Sequence, residues 1–243
     1  MEYRNENGQL HREDGPARIY NYGGQEWWIN GLCHREGGPA IIWSDGGQIW
    51  YINGERHRDD GPAIIYANGT QIWYINGRCH REDGPAVIRA NGTQEWHLNN
   101  EIHRMDGPAM IHPNGTQEWY KNGKWHREDG PAVIWADGTQ RWYNNGQLHR
   151  VDGPAVASPD GHQTWVVKDE IHRVDGPAVI LSDGTQKWYI NGQFHRENSL
   201  PYKLDKRDNT MTLANGEVVP MSDDDYEKYK YKPSGRFTKA ALH

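Results

Sequence analysis

The sequence is short of the residues that build an ordinary core. Phenylalanine occurs twice, cysteine twice, and only 35% of residues are hydrophobic. A compact globule wants more aliphatic surface than this, whereas an array that packs unit on unit needs only a thin core. No apolar run approaches the ~20 residues needed to cross a bilayer as a helix. The first residues, Met1-Glu2-Tyr3-Arg4-Asn5-Glu6, lack the apolar region of a secretory leader. Basic excess is also missing. The formal net charge is -6, which argues against non-specific nucleic-acid binding, because neutralising phosphates supplies most of that affinity.

What is present is a period. The stretch His80-Arg81-Glu82-Asp83-Gly84-Pro85-Ala86-Val87-Ile88 has close copies starting at His11, His34, His57, His103, His126, His149 and His172, and a worn copy at His195, 23 residues apart each time. Self-similarity at such a period is the signature of a repeat architecture. The large apolar surface comes from 12 Trp and 13 Tyr, while 28 Gly and 13 Pro fall at fixed phase as turn punctuation. Residues 1–201 therefore read as a β-repeat array of about eight units with partial ends, and 202–243 as a C-terminal cap or tail. Within the latter, 213–219 reads as a last hairpin around Asn215-Gly216. Residues 222–229 read as a short helix, with Ser222 as N-cap and acids in the first turn. Cys33 and Cys79 share one phase two repeats apart, roughly 10 Å or more, which is too far for a disulfide. Reduced thiols predict an intracellular, cytoplasmic protein.

Within one unit, Pro62-Ala63-Ile64-Ile65-Tyr66 and Gln71-Ile72-Trp73-Tyr74-Ile75 are β-prone runs joined by Ala67-Asn68-Gly69-Thr70. Asn76-Gly77 makes a second turn before Arg78-Cys79-His80-Arg81. Such Asn-Gly turns are strong hairpin signals. A three-residue loop ending in the glycine pairs Ile65 with Gln71 and gathers Ala, Ile, Gln and Trp on one face. That ladder is the predicted core. The residue between Gln and Trp wanders through Glu26, Ile49, Ile72, Glu95, Glu118, Arg141, Thr164 and Lys187, and is predicted to face water. The fold class is all-β: an elongated, twisted antiparallel sheet of hairpins. The alternative is a β-solenoid with three short sides per coil. The two differ in rise, about 9.6 Å against about 4.8 Å per repeat, and repulsion between stacked arginines favours the larger rise.

The pattern Trp-Tyr-x-Asn-Gly-x-x-His-Arg-x-Asp-Gly-Pro-Ala-x-Ile-x-x-Asp-Gly-Thr resembles a MORN repeat, over about residues 7–200. The resemblance implies an extended sheet of hairpins and a scaffold or interaction module rather than an enzyme. Arrays of this kind also look like those in large-phage and giant-virus proteins, which implies a viral protein acting in the host cytoplasm. The chain departs from the family in carrying Arg-x-Asp-Gly-Pro where MORN repeats carry Gly-x-Gly. It also lacks the basic cluster that lipid contact would use.

Identical units give identical places, whereas catalysis needs unlike residues brought together, so the chain is read as a non-enzyme without cofactor. A ladder of histidines projects side chains in parallel and does not converge on a metal. Each His is expected to bond a turn carbonyl or a nearby carboxylate, and each Arg to pair with the Asp of its own turn or of the next. Function is then expected where the period breaks. Arg89, His112 and Trp135 share one phase in three consecutive repeats, as do His97, Tyr120 and Tyr143. These six form the predicted binding patch, on the face away from the Trp ladder. A protein partner, a host factor if the chain is viral, is the first reading. The alternatives are a small phosphorylated ligand or nucleotide, held by Arg and His rows or by grooves between repeats, and a virion or assembly component. Association through the array ends would give an oligomer.

Overall fold

The computed structural model describes residues 1–198, 202–213, 218–220 and 222, and among them the secondary structure is all-β with no helix. Residues 1–136 and 137–243 form two compact units. Each is an antiparallel meander of short strands taken in chain order, and together the meanders account for 17 strands. In the first unit the meander runs from Arg18–Ile19 to Val133–Ile134, and in the second from Gln140–Arg141 to Gln193–Asn198. Every described pairing is antiparallel, as a hairpin array requires.

The hairpin register follows the turn chemistry. Ile65 pairs with Gln71 and Ile64 with Ile72, and the Tyr66 amide donates to Thr70 O at 2.9 Å. The three-residue loop anticipated from Ala67-Asn68-Gly69 is the one formed. Gln71 then pairs with Ile88, and Ile72 with Val87, of the next repeat.

The second β-prone run is not one strand. Gln71–Ile72 and Tyr74–Ile75 are separate, and the break falls at Trp73. The Trp73 amide donates to Ala86 O at 2.8 Å in the sheet, while its carbonyl accepts from the His80 amide at 3.2 Å. The Trp73 carbonyl is thus turned away from the Ala86 amide, its donor in a continued antiparallel ladder. Sheet pairing therefore stops, and the chain enters a small hairpin in which Tyr74 pairs with Cys79 and Ile75 with Arg78. Its turn has Asn76 at φ 47° and Gly77 at φ 72°, the pair of positive angles a type I′ turn needs.

This second hairpin decides which side of the sheet is covered. Cys79, Ala86 and Val87 form a buried cluster with Ile72 and Tyr74 packed against it. The covered face is thus the one that carries the variable residue between Gln and Trp. Ile49 is 6% exposed and Glu95 only 3%, which corrects the expectation that this position meets water. The Gln, third-position Ile and Trp side chains are half-buried rather than the deepest part of the core. Alternation sorts residues into two faces but does not say which face a later hairpin will cover. Ala17, Ala40, Ala63, Ala86, Ala109, Ala132, Ala155 and Ala178 are wholly buried, leaving no room for a larger side chain.

The Trp ring is covered instead by the arginine of its own repeat. Arg81 Cζ lies 4.3 Å above the Trp73 ring. Arg81 Nε donates to Asp83 Oδ1 at 2.8 Å, and Nη1 to Pro85 O at 3.4 Å. Of the two pairings open to each arginine, the structure uses the Asp of its own turn. On the other side a Cβ built on Gly84 would stand 3.1 Å from Arg81 Cζ, so this glycine makes room for the guanidinium. The arrangement recurs at Arg58, Arg104, Arg127, Arg150 and Arg173. At the N-terminal end Tyr3 takes the place of Trp beneath Arg12, at 4.2 Å.

The histidines join one repeat to the next. His57 Nδ1 accepts from the Asn76 amide at 3.1 Å. The same bond links His11 to Asn30, His34 to Asn53, His103 to Asn122, His149 to Lys168 and His172 to Asn191. At Nδ1 the partner is a turn N–H rather than a turn carbonyl, while the neighbouring carboxylate anticipated is met at Nε2 of His57, 3.1 Å from Asp59 Oδ1, and of His126, 3.5 Å from Glu128 Oε1.

After the array, Thr210–Leu213 pairs with Val218–Pro220 and also with Tyr202–Asp205; the turn expected at Asn215-Gly216 lies outside the described residues. Of the segment expected to form a helix, 223–229 lies outside the described residues.

Two outcomes follow from this packing. Gly84→Ala forces Arg81 off Trp73 and costs about 1–3 kcal/mol in urea denaturation, whereas Glu82→Ala, on the exposed side of the same loop, leaves stability nearly unchanged. The Arg81 hydrogen bond also holds the Asp83 carboxyl below its ordinary range, and Asp60, Asp106, Asp129, Asp152 and Asp175 are lowered in the same way by their arginines. The folded chain thus gives up these protons more readily than the unfolded chain. Their contribution is complete above the ordinary Asp range near 4 and is lost as pH falls through the lowered values. Melting temperature should hold level from neutral pH to about pH 5 and drop below it. A level profile down to pH 3 would show that the pairs carry no stability.

Candidate functional site

Five of the six predicted site residues lie in the first unit, on the side of its sheet opposite the Gln and third-position Ile row, and Tyr143 takes the same phase of the repeat in the second. They do not form an open patch. Arg89 is exposed, whereas His97, His112, Tyr120, Trp135 and Tyr143 are half-buried. Four of them converge on two carboxylates that sit at the position expected to face water.

Glu95 takes a charge-assisted hydrogen bond from Arg89 and is 3.2 Å from His97 Nε2. Burial pushes its carboxyl up, but the bonds from His97 and Arg89 outweigh this and hold it below the usual range. It therefore stays ionised inside the fold. Glu118 is met by His112 Nε2, the Tyr120 hydroxyl and Trp125 Nε1, each at 2.8 Å. Burial raises the Tyr120 phenol, and its bond to Glu118 raises it further. A third acid, Glu26, is met by Arg18, the Tyr20 hydroxyl and Trp28 Nε1 at 3.2, 2.9 and 2.9 Å.

The sequence carries a signal for these clusters. The residues six before and two after the variable position change with it. Around Glu26 they are Tyr20 and Trp28, around Glu95 Arg89 and His97, around Glu118 His112 and Tyr120. Each of these donates a hydrogen bond. Around Ile72 they are Tyr66 and Tyr74, and around Ile49 Trp43 and Tyr51, with Trp43 stacked on Tyr66 at 5.7 Å. An acid at this depth is accepted where its neighbours supply donors, because an unpaired buried charge is costly.

Chemically the clusters are quiet. Burial pushes the Cys79 thiol up to about 11 and Cys33 to about 12, with smaller contributions from Glu95 and Glu26. At neutral pH both are protonated and poor nucleophiles. No group of three or more His, Cys, Asp or Glu is arranged to hold a metal among the described residues.

A second kind of place lies between successive His-Arg-x-Asp-Gly-Pro loops. In the first unit, grooves of about 600 and 670 Å³ lie on either side of the loop that carries Met105. One is floored by Trp96, His97 and Leu98, the other by Trp119, Tyr120 and Lys121. In the second unit, a groove of about 510 Å³ lies between the loops of Val151 and Val174. Met105, Val151 and Val174 are 91, 80 and 81% exposed. They stand where Glu13, Glu36, Asp59, Glu82 and Glu128 stand in other repeats. These three apolar residues were not among the predicted site residues, although the exchange of acid for Met or Val at one fixed phase is visible in the sequence.

Comparison with protein-family models gives no match to the chain, and comparison with curated proteins finds no relative.

The acid clusters make a direct prediction. Glu118→Ala leaves the Tyr120 hydroxyl and Trp125 Nε1 without their acceptor and should cost about 1–3 kcal/mol, read from the shift of a urea melt. Glu95→Ala should cost less than Glu118→Ala, because exposed Arg89 can turn to water. Unchanged melts for both variants would place the two carboxylates in solvent.

Proposed function

We propose that this chain is a non-catalytic, MORN-like repeat scaffold that holds a protein partner through the exposed His-Arg-x-Asp-Gly-Pro loops of its repeats. The observation that carries the reading is the exposure of Met105, Val151 and Val174 at one phase of the repeat. Each departs from an acidic residue, and none is needed to hold one unit on the next. Apolar side chains at the centre of a contact, with a polar rim, are the usual make-up of a protein interface. The likeness to arrays of large phages and giant viruses extends the proposal to a viral protein that occupies a host factor.

The reading as a phosphate binder has less support. The arginines that would receive a phosphate are about three-quarters buried on their Trp rings, with Nε bonded to Asp; Arg104, at 25% exposure, is one such case. A phosphate would have to displace that carboxylate and break the stack.

The test is capture of a protein from lysate by the wild-type chain and by a variant with Met105→Glu, Val151→Glu and Val174→Glu. Exposed substitutions of this kind usually change stability by less than about 0.5 kcal/mol, so both should melt alike, while capture is lost in the variant. If capture persists there and fails instead in Arg89→Glu, the binding surface is the side of the acid clusters.

A further inference from the structure

The loop edge also has a charge and a spacing, and together these describe a partner. The inference rests on the proposed docking edge and names the chemistry that would fill it.

Arginine and aspartate alternate one to one along the loops, yet they do not face the same way. Arg81, Arg104 and Arg127 lie on their Trp rings with 24–25% of the side chain exposed, whereas Asp83, Asp106 and Asp129 are 81–83% exposed. Each guanidinium is held through Nε to one carboxylate oxygen. Glu82 stands out still further, at 92%, beside His80, and Glu128, at 78%, stands beside His126 and Lys121. The cations are turned into the fold and the anions out of it. The rim of both grooves beside Met105 is therefore largely acidic, and their floors are mostly aromatic and apolar, with Lys121 in one of them paired to Glu128. A partner that fits must bring positive charge to the rim and apolar surface to the floor.

Spacing selects its conformation. Successive repeats in one meander are separated by two strand spacings, about 9.6 Å. A polyproline II helix repeats its side chains every three residues, about 9.3 Å. An extended strand returns a side chain to the same face after about 6.8 Å, and two turns of an α-helix span about 10.8 Å. Over the three loops at Asp83, Asp106 and Asp129 the polyproline form drifts by about 0.6 Å in all, from two intervals of about 0.3 Å. The α-helix drifts by about 2.4 Å over the same span. Aromatic-floored grooves suit polyproline segments generally, since these are pre-ordered and lose little entropy on docking.

We infer that the two grooves on either side of the Met105 loop seat a polyproline II segment of a partner protein that carries Lys or Arg at every third residue. The basic side chains reach Asp83, Asp106 and Asp129 in turn, and the prolines between them lie against Leu98, Trp119 and Tyr120 along the floors.

Fluorescence anisotropy tests this with the full chain and three labelled peptides. One has five Lys-Pro-Pro triplets. The second has the same composition with the lysines in one block. The third has Glu in place of Lys. The periodic peptide should bind at least about tenfold more tightly than the block peptide at low salt, and the Glu peptide should not bind. In a variant with Glu82→Lys and Glu128→Lys, affinity for the periodic peptide should fall about tenfold at unchanged melting temperature. Equal binding of the periodic and block peptides would overturn the inference in favour of unspecific attraction, and so would full binding by the lysine variant. If no peptide binds while wild-type chain still captures a protein that the Met105, Val151 and Val174 variant loses, the partner chemistry is wrong and the docking edge stands. Loss of both overturns both.

Discussion

One side-chain stack sets the rest of this fold: the arginine laid flat between a Trp ring and a glycine, and tied at its edge to Asp and to a Pro carbonyl. The stack explains why five different residues recur together. The glycine must lack a Cβ because the guanidinium occupies that space. The Asp fixes Nε, and the Pro carbonyl takes Nη1. The Trp supplies a flat surface that a planar, weakly hydrated cation can cover better than an ammonium could. Arg35 shows which part is essential. Gly37 stands where its Asp would be, yet Arg35 still lies 3.9 Å above Trp27 and bonds Pro39 O at 3.0 Å. Stacking and the carbonyl bond hold the guanidinium without the acid. The acid then decides what the loop shows to solvent.

A chain this short of aliphatic residues is held by many small links rather than by one core. Each repeat touches the next through sheet pairing, through the Trp amide on the Ala carbonyl, and through the His ring on the Asn amide. In such an array stability is close to a sum of unit and interface terms, so a lapse at one joint is local. The joint after His80 is such a lapse. Its turn reads Asn99-Asn100 in place of Asn-Gly, and His80 Nδ1 is left buried without a partner. The second Asn compensates, since Asn100 Oδ1 accepts from the Cys79 amide at 2.7 Å. Asp169 makes the same replacement in the second unit, accepting from the Leu148 amide at 2.8 Å. Side chains at positive φ, where glycine is usual, thus return a hydrogen bond for the strain they carry.

Much of the architecture was legible because its causes are local. The period, the Asn-Gly turns and the three-residue loop fix the hairpins and their register, and Ile65 opposite Gln71 could be read from spacing alone. The bend at Trp73 could not. It arises because the Trp73 amide bonds Ala86 of the next repeat while its carbonyl takes the His80 amide, a division defined only once the repeats pair and the second hairpin closes. The covered face was hidden for the same reason. Glu95 looks like a solvent residue in a strand pattern, and becomes an interior one only when the small hairpin with Cys79 folds over it. Its accompanying Arg89 and His97 were noticed as breaks in the period, but their reason for being there was the acid between them.

Two kinds of departure from the repeat can now be told apart. At the buried position a changed residue is answered inside the chain, as Glu118 is by His112, Tyr120 and Trp125. Such changes come in sets, and the set closes on itself. At the exposed position of the loop, Met105, Val151 and Val174 replace acids, and although apolar Leu98 and Val167 share their grooves, the three side chains stay 80–91% exposed. His103, His149 and His172 keep their bonds to the next turn, so the exchange brings nothing to the fold and leaves apolar surface in water. The hydrophobic effect makes that a small standing cost. A residue whose cost is not recovered within the chain is recovered, if at all, by something that covers it. For that reason the loop edge, rather than the six residues gathered around the buried acids, is the better place to look for a partner.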